Sequence, residues 1–384
     1  MNIKAIVITE DHYNALGIVR SLGENNIEVI LILTTESNRT YVDKSKYVSR
    51  TIRIGHDVDR IIQQINFIAS DSSNYYVFPL SDFAAEIVDK HYREFSSNVT
   101  APQMGGKMLY WQDKEISKNR AKACGLYTAK SKIFSFSQSA EDLEWNVFPA
   151  IVKPVVSIEG AKSDITIVNN QGELFIALQT FDGKNYSRVL VEEYIHSDDD
   201  YMIEVLGYSA HGKAEISGIV KKKREYPMRR GSTSFAKLVD HLPNLDLDNI
   251  CKYIESVGYD GLFDVEFKSA NSIPYFIECN FRNGAPSYAL TLVGRNLPIL
   301  WINNKCGNNI LSCRPQNNNC YFMCEQTDVI NLLKREVGIK EWVHDFRASN
   351  KIFWNAQDRK PAAIYYRMFI ADMIKRFWRK LSND

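Results

Sequence analysis

Apolar and polar positions alternate in blocks from the start of the chain. Residues 3–9 (IKAIVIT) form a continuous apolar run closed by Glu10 and Asp11, and 27–33 (IEVILIL) and 75–82 (YYVFPLSD) repeat the pattern. Unbroken runs of this length predict strands buried on both faces. Between the first two, a polar loop is expected over Glu10 to Asn14, and Leu16, Val19 and Leu22 then recur at helical spacing. Apolar strands alternating with helices predict a parallel sheet covered on both sides, and ligands collect beyond the carboxyl ends of such strands. The His12 to Asn14 loop and Ser81-Asp82 are therefore candidate substrate contacts, with helix and turn capping an equal alternative.

The texture changes further along. A helix is expected from about Lys114 to Cys124, stopped by Gly125. From about residue 130 the pattern becomes short strands with turns: KSKIF, FPAIVKP, SDITIV, RVLVEEYI, YMIEVLGY and EISGIV, with helices expected at 171–180 and 246–257. This part reads as α+β with antiparallel sheets. GLFDVEFKSANSIPYFIECN predicts two strands around a turn at Ala270 to Ile273. Asn303 to Asn319 reads as a polar, Asn-rich loop, and Pro361 opens a terminal helix. The expected class is α/β and α+β, with an N-terminal parallel-sheet domain over 1–110. Units over 111–190, 191–310 and 311–384 follow.

Composition narrows the function classes. A length of 384 residues exceeds one ordinary core, and 45% hydrophobic with 24% charged residues is ordinary globular usage. Lys and Arg number 47 against 46 Asp and Glu, a net charge of +1 that gives no global pull toward nucleic acid, so no nucleic-acid partner is expected. The first apolar run is too short for a secretory signal, and no stretch approaches the ~20 apolar residues of a membrane helix. A cytoplasmic protein is expected. Seven cysteines fit a reducing compartment. Cys306, Cys313, Cys320 and Cys324 lie close together but form no C-x-x-C pair, so free thiols outweigh zinc.

The common phosphate-binding and hydrolytic fingerprints are missing: there is no G-x-x-x-x-G-K-[ST], no G-x-G-x-x-G after the first strand, no H-E-x-x-H and no G-x-S-x-G. The informative stretch is 264–282. Alternate residues of a strand share a face, so Glu278, Asn280 and Arg282 are expected to project together, with Phe276 on the same side. Pairing as a hairpin brings Glu266 alongside Glu278. Two carboxylates and an amide oxygen are hard ligands suited to Mg²⁺ on ATP phosphates, and the guanidinium suits phosphoryl oxygens. A solvated strand face is the alternative. It is weakened by the apolar neighbours Phe263, Val265, Phe267 and Ile277.

These residues resemble the E-x-N-x-R strand of the ATP-grasp superfamily. The resemblance implies that Glu266, Glu278 and Asn280 hold the metal, with Arg282 on the phosphate or acyl phosphate. FPAIVKP resembles the strand ending in a phosphate-contacting lysine, here Lys153, and Lys114 takes the place of an earlier phosphate-binding basic residue. VLVEEYI resembles the adenine-reading hinge, which implies Glu192, Glu193 and Ile195, and Asp200 falls at the ribose position. The likeness runs over residues 3 to 300. Two departures stand out. The loop VVSIEGAKSDI after Lys153 carries one glycine where relatives carry several, with Ser157 and Lys162 as compensating groups, and Asp200 replaces the usual Glu.

The stretch from Lys221 to Ser232 (KKKREYPMRRGS) resembles the carboxylate–amine ligase branch that includes D-aspartate ligase and carbamoyl phosphate synthetase-like proteins. There Arg229 is a candidate for gripping the acceptor carboxylate or acyl phosphate. A solvated face or basic patch is an equal reading, since Pro and Gly are expected to interrupt any regular strand. The resemblance implies phosphoryl transfer from ATP to a carboxylate with Mg²⁺, or Mn²⁺ in its place, followed by amide formation with an amine under a closing lid over 130–190. Two alternatives remain open: a carbamoyl-type carboxylate kinase and a non-catalytic nucleotide-binding subunit. The partners expected are small-molecule carboxylate and amine substrates and a homodimeric copy. The apolar stripe and basic side of 361–381 leave two readings open, packing on the protein's own body or a partner, which is the more frequent, and peripheral contact with the inner face of a membrane.

Overall fold

The computed structural model describes residues 2–155, 164–184, 186–196, 202–228, 231–307 and 320–381, with side chains described as far as 375. The chain begins with β1 (Ile3–Thr9), α1 (Tyr13–Gly23), β2 (Glu28–Leu33), β3 (Val48–Arg53), α2 (Val58–Ile68), β4 (Asn74–Pro79), α3 (Asp82–His91), β5 (Val99–Thr100) and α4 (Met108–Trp111). The strands form one parallel sheet in the order β3-β2-β1-β4-β5. The continuous apolar runs are buried on both faces, as parallel strands under helices require. The loop after β1 is shorter than its polarity predicts. Tyr13 is buried at the start of α1 with its hydroxyl donating to the Thr233 carbonyl (3.1 Å), so tertiary packing extends the helix toward the strand.

The next elements are α5 (Lys114–Ala123), β6 (Tyr127–Thr128), β7 (Ser131–Ser135), β8 (Ala150–Pro154), β9 (Thr166–Val168), α6 (Gln171–Asp182) and β10 (Arg188–Glu193). Strands β7-β10-β8-β9 make an antiparallel sheet whose apolar face packs on Leu174, Leu178 and Phe181 of α6. Gly125 closes α5 at φ +90°, a conformation that favours glycine.

The remainder comprises β11 (Met202–Ala210), β12 (Lys213–Tyr226), β13 (Ser232–Val239), α7 (Leu247–Val257), β14 (Gly261–Ala270), β15 (Ile273–Asn280), α8 (Ser287–Leu292), α9 (Leu297–Cys306), β16 (Tyr321–Met323), α10 (Glu325–Leu333), α11 (Ile339–Ala348), β17 (Asn350–Lys351) and α12 (Lys360–Leu381). The sheet order is β17-β16-β13-β12-β11-β14-β15-β6. One core joins α5 and α7 to β11, β14 and β15 through Tyr253, Ile254, Phe267 and Phe276. A second joins α1 and the first sheet to α8, α9 and the opposite strand faces through Leu16, Leu206, Leu290 and Trp301. The segments that follow β1 and β4 thereby meet the segment after β15, through Asn14 on Asn283 and Asp82 on Arg282.

Three local expectations change. β12 runs unbroken through Tyr226, because Pro227 and Gly231 fall after its end. Asn303 to Cys306 belong to α9, and 308–319 lie outside the described residues. Phe276 does not share the face of Glu278: the pairing shifts between Glu266 and Phe267, so Glu266 opposes Glu278 but Phe267 opposes Phe276. Ile277 is the extra residue, and the bulge turns Phe276 into the core.

Candidate active site

The hairpin of β14 and β15 builds the centre of the site. Asp264 opposes Asn280, Glu266 opposes Glu278, and Glu204 of β11 opposes Glu266 from the other side. Three glutamates thus stand in one row across three strands. Cross-strand like charges destabilise a sheet unless a cation lies among them. Lys222 of β12 supplies one, with Nζ 3.0 Å from Glu204, 3.2 Å from Glu266 and 3.8 Å from Glu225. Lys114 supplies another at the far end, 3.8 Å from Glu278.

Charge in this row is unevenly satisfied. Burial pushes the Glu204 carboxyl up to about 7, with Lys222 pulling it down and Glu266 adding to the rise. Burial, then Glu204 and Glu266, push Asp264 well above the usual carboxylate range. Asp264 is 2% exposed and its Oδ1 has no hydrogen-bond partner among the described residues. Gly284 abuts it: a Cβ there would stand 2.8 Å from the Asp264 carboxyl carbon. Asn280 donates to Glu266 Oε1 (3.2 Å) and Asp264 Oδ2 (3.4 Å), which turns its own oxygen outward to accept from Arg282 Nη2 (3.1 Å). This surplus of carboxylate oxygen, with an oriented amide, fits the hard donor set a magnesium ion takes.

A second charge group lies beside the first. Glu192 on β10 is buried between Lys153 of β8 (3.1 Å) and Lys118 of α5, which also donates to the Ala129 carbonyl at 3.2 Å. Burial raises the Glu192 carboxyl, but Lys153 and Lys118 together hold it below its usual range. Asp113 caps α5, accepting from the Glu115 and Ile116 amides, and pairs with Arg188 of β10 at 2.6 Å. The backbone amide of Lys114 donates to the Val155 carbonyl (3.1 Å), fixing the helix start to the end of β8. Lys114 therefore sits between the two groups: burial lowers its pKa, and its charged neighbours are Glu278, Lys153, Asp82 and Glu192. A cavity lined by Asp82, Trp111, Gln112, Lys114, Glu278 and Asn280 opens at this point.

The structure thus brings Lys114, Lys153, Glu192, Glu266, Glu278, Asn280 and Arg282 to one region. Glu193 ends β10, its amide donating to the Lys130 carbonyl at 2.9 Å, and Ile195 follows, buried against Ala129 and Ala270. Asp200, Arg229, Ser157, Lys162 and Cys313 lie outside the described residues. The basic run of β12 is no continuous patch. Lys222 turns to Glu204 and Glu266, whereas Arg224 pairs with Asp328 (2.9 Å) and Asp345 (2.6 Å) beneath the C-terminal helices. Of the loops beyond the first sheet, Asp82 reaches the site, accepting from Arg282 Nε at 2.7 Å. Asn14 pairs with Asn283 (2.6 Å), while His12 and Ser81 cap α1 and α3.

Four buried participants were missed by the sequence reading: Lys118, Glu204, Lys222 and Asp264. Glu204 carried a signal, an acid inside the apolar run YMIEVLGY, and Asp264 shares the alternation of Glu266. Lys118 carried none, because its partner Glu192 is 74 residues away.

No family model matches the chain. A segment of 88 residues is 36% identical to the D-alanine–D-alanine ligase of Aquifex aeolicus, spanning 23% of this chain and 29% of that relative. Among solved structures, the L-amino acid ligase from Bacillus licheniformis superposes with a TM-score of 0.60 at 15% identity, over 78% of this chain and 75% of that one. The biotin carboxylase–ATP complex from Campylobacter jejuni gives 0.63 at 18% identity, over 83% and 74%. The ADP complex of N5-carboxyaminoimidazole ribonucleotide synthetase gives 0.63 at 12% identity, over 86% and 85%. With its parallel sheet, a four-stranded antiparallel sheet and an eight-stranded sheet that is antiparallel except at its two edge pairs, the chain has the ATP-grasp fold.

Proposed function

We propose that this chain is an ATP-dependent carboxylate–amine ligase. In the reaction, a substrate carboxylate oxygen attacks the γ-phosphorus of ATP and ADP leaves. An amine then attacks the resulting acyl phosphate, releasing inorganic phosphate and a proton as the amide forms. The observation that carries this reading is the cross-strand pair of Glu266 and Glu278 with the oriented amide of Asn280, reached by Lys114 and Arg282. Glu266, Glu278 and Asn280 would hold Mg²⁺, which when bound neutralises phosphate charge. Lys114 and Lys153 bind phosphate oxygens, and Arg282 steadies the group in transfer. Glu192, Glu193 and Ile195 face the nucleoside, with Asp200 on the ribose. Arg229 grips the acceptor.

On this reading, 1–110 selects substrate, 111–190 excludes water as a lid, 191–310 carries metal and nucleotide, and 311–384 is an added extension. The similarity to a D-alanine–D-alanine ligase over 88 residues favours the amide-forming branch and an amino-acid or envelope-precursor substrate. ADP release measured with a panel of carboxylates, each with and without amines, tests the proposal. Amine-dependent ADP release that falls about 10³-fold in Glu278→Ala is expected, the loss typical of removing a group that stabilises transferring charge. ADP release needing no amine would instead indicate a carboxylate kinase. Nucleotide binding without turnover would overturn the reading.

The terminal helix supports a peripheral role at an anionic membrane. The structure ties α12 to the body through Arg39, which pairs with Asp372 (2.7 Å) and donates to the Met368 carbonyl (3.0 Å). Ile370, Met373 and Ile374 nonetheless stay more than half exposed on one helical face. Basic residues from Arg367 to Lys380 accompany that stripe. No helix among the described residues is long and apolar enough to cross a membrane, so contact would be along the surface. Co-sedimentation with phosphatidylserine vesicles should be lost on truncation at Pro361, and unchanged binding would end this idea.

A further inference from the structure

We infer that Asp82, on the parallel-sheet unit, is the positioning residue for Arg282, and that without it the guanidinium turns onto the carboxylates of the metal row. The inference rests on the ligase reading above. Asp82 begins α3 immediately beyond β4, directly after the capping Ser81. The Ser81 hydroxyl accepts the Ala84 amide (3.2 Å), so the backbone that carries Asp82 is fixed by a helix start. Its Oδ1 takes the Nε hydrogen of Arg282 at 2.7 Å, 200 residues away in sequence.

A guanidinium is a planar fork with five donors, so fixing its Nε edge fixes the direction of the other two nitrogens. The Asn280 oxygen takes one Nη2 hydrogen at 3.1 Å. Among the described residues nothing accepts from Nη1, although Arg282 is largely buried, with 20% of its side chain exposed. That edge meets solvent through the exposed part of the side chain and so stays open to a bound ligand. Burial works against its charge, and Asp82, then Asp264 and Glu278, restore it. The last two belong to the acidic row or adjoin it. Remove Asp82 and they become the nearest countercharges, so Arg282 would neutralise the carboxylates the metal needs and withdraw from the phosphoryl group. Asp82 thus couples the two units: the first sheet must be seated on β15 for Arg282 to point correctly.

The test uses the full chain. Steady-state ADP release and Mn²⁺·ADP affinity by calorimetry are measured for wild type, Asp82→Asn, Asp82→Glu, Arg282→Lys and the double variant Asp82→Asn/Arg282→Lys. Asp82→Asn should lower kcat about 10²-fold and weaken Mn²⁺·ADP several-fold with its melting temperature kept within a few degrees, and Asp82→Glu should recover part of kcat. The double variant should lose little beyond Arg282→Lys alone, since the two residues act as one unit. Wild-type kinetics in Asp82→Asn, or losses that multiply in the double variant, would overturn the inference while leaving the ligase reading intact. If the asparagine variant fails to fold, Asp82→Glu set against Arg282→Lys carries the same comparison. Absence of ADP release from wild type with every carboxylate would sink the ligase reading instead, and Mn²⁺·ADP affinity would then decide this inference alone.

Discussion

Glu266 and Glu278 stand directly opposite each other on adjacent strands, and Glu278 has Lys114 at 3.8 Å as its cationic neighbour. Apposed carboxylates repel, so this pair costs stability in the absence of a cation. Glu278→Gln should therefore leave the melting temperature of the metal-free protein unchanged or raised by a few degrees, while ADP formation drops by about 10²–10³-fold. Thermal unfolding in EDTA beside a turnover assay checks both halves. A variant that melts lower and still turns over would mean that the row is merely structural.

Glu192 is buried between two ammonium groups, Lys118 and Lys153. Removing one partner of a buried ionic group leaves the remaining charges uncompensated, at about 3–5 kcal/mol. Glu192→Gln should destabilise the free protein by that order, and nucleotide phosphates should restore much of it by pairing Lys153. The observable is the ATP-induced shift in melting temperature, expected to be larger in the variant than in wild type. An equal or smaller shift would place the nucleotide phosphates away from Lys153.

How far this site was legible in the sequence depended on distance along the chain. Glu266, Glu278, Asn280 and Arg282 fall within 17 residues of one another, and alternation sets Glu278 and Asn280 on one face, but it is the register shift at Ile277 that brings that face to Glu266. The same alternation failed at Phe276, since period-2 reasoning assumes an unbroken ladder and Ile277 inserts a bulge. For the run from Lys221 to Arg224 a basic surface and a ligand-gripping stretch are equal readings, because sequence lists charges without their partners. Glu204 and Glu266 draw Lys222 inward and Asp328 and Asp345 draw Arg224 inward, whereas Lys223 between them is exposed. The three central strands of the parallel sheet, β1, β2 and β4, were readable because strands buried on both faces announce themselves as unbroken apolar runs, whereas the edge strands β3 (VSRTIR) and β5 carry no such run. Only long-range packing decided that Asp82 would reach Arg282 while Ser81 merely caps a helix.

Arg224 ties the C-terminal helices to the central sheet. It meets fully buried Asp328 through both Nε (3.1 Å) and Nη2 (2.9 Å), stacks over Phe235 at 4.4 Å, and reaches Asp345 of α11. Ser234 donates to the same Asp328 carboxylate at 2.8 Å. Asp328→Asn keeps the shape but halves the acceptors and leaves the guanidinium short of countercharge. A loss of about 3 kcal/mol is expected. Urea unfolding should register it, with proteolysis beginning in α10 and α11 before the rest. Uniform destabilisation without early cleavage there would mean that these helices hold on by other contacts.

Asp11 gives stability a pH dependence whose sign can be worked out. Its carboxylate accepts from the Tyr41 and Val42 amides at 3.0–3.1 Å, yet burial pushes its pKa up from 3.8 to about 6. Between those values the folded chain holds a proton that the unfolded chain has released. Protonation therefore favours the fold, so the contribution is full below pH 4 and is lost as pH rises through 6. The loss amounts to about 2 kcal/mol once partial solvent screening is allowed for. Asp11→Asn cannot ionise and escapes this loss, so its unfolding free energy minus that of wild type should increase by that amount, in favour of the folded variant, between pH 4 and pH 7. Urea titrations of both proteins at the two pH values provide the check, and a constant difference would show that Asp11 is solvated well enough to titrate as it does in the unfolded chain.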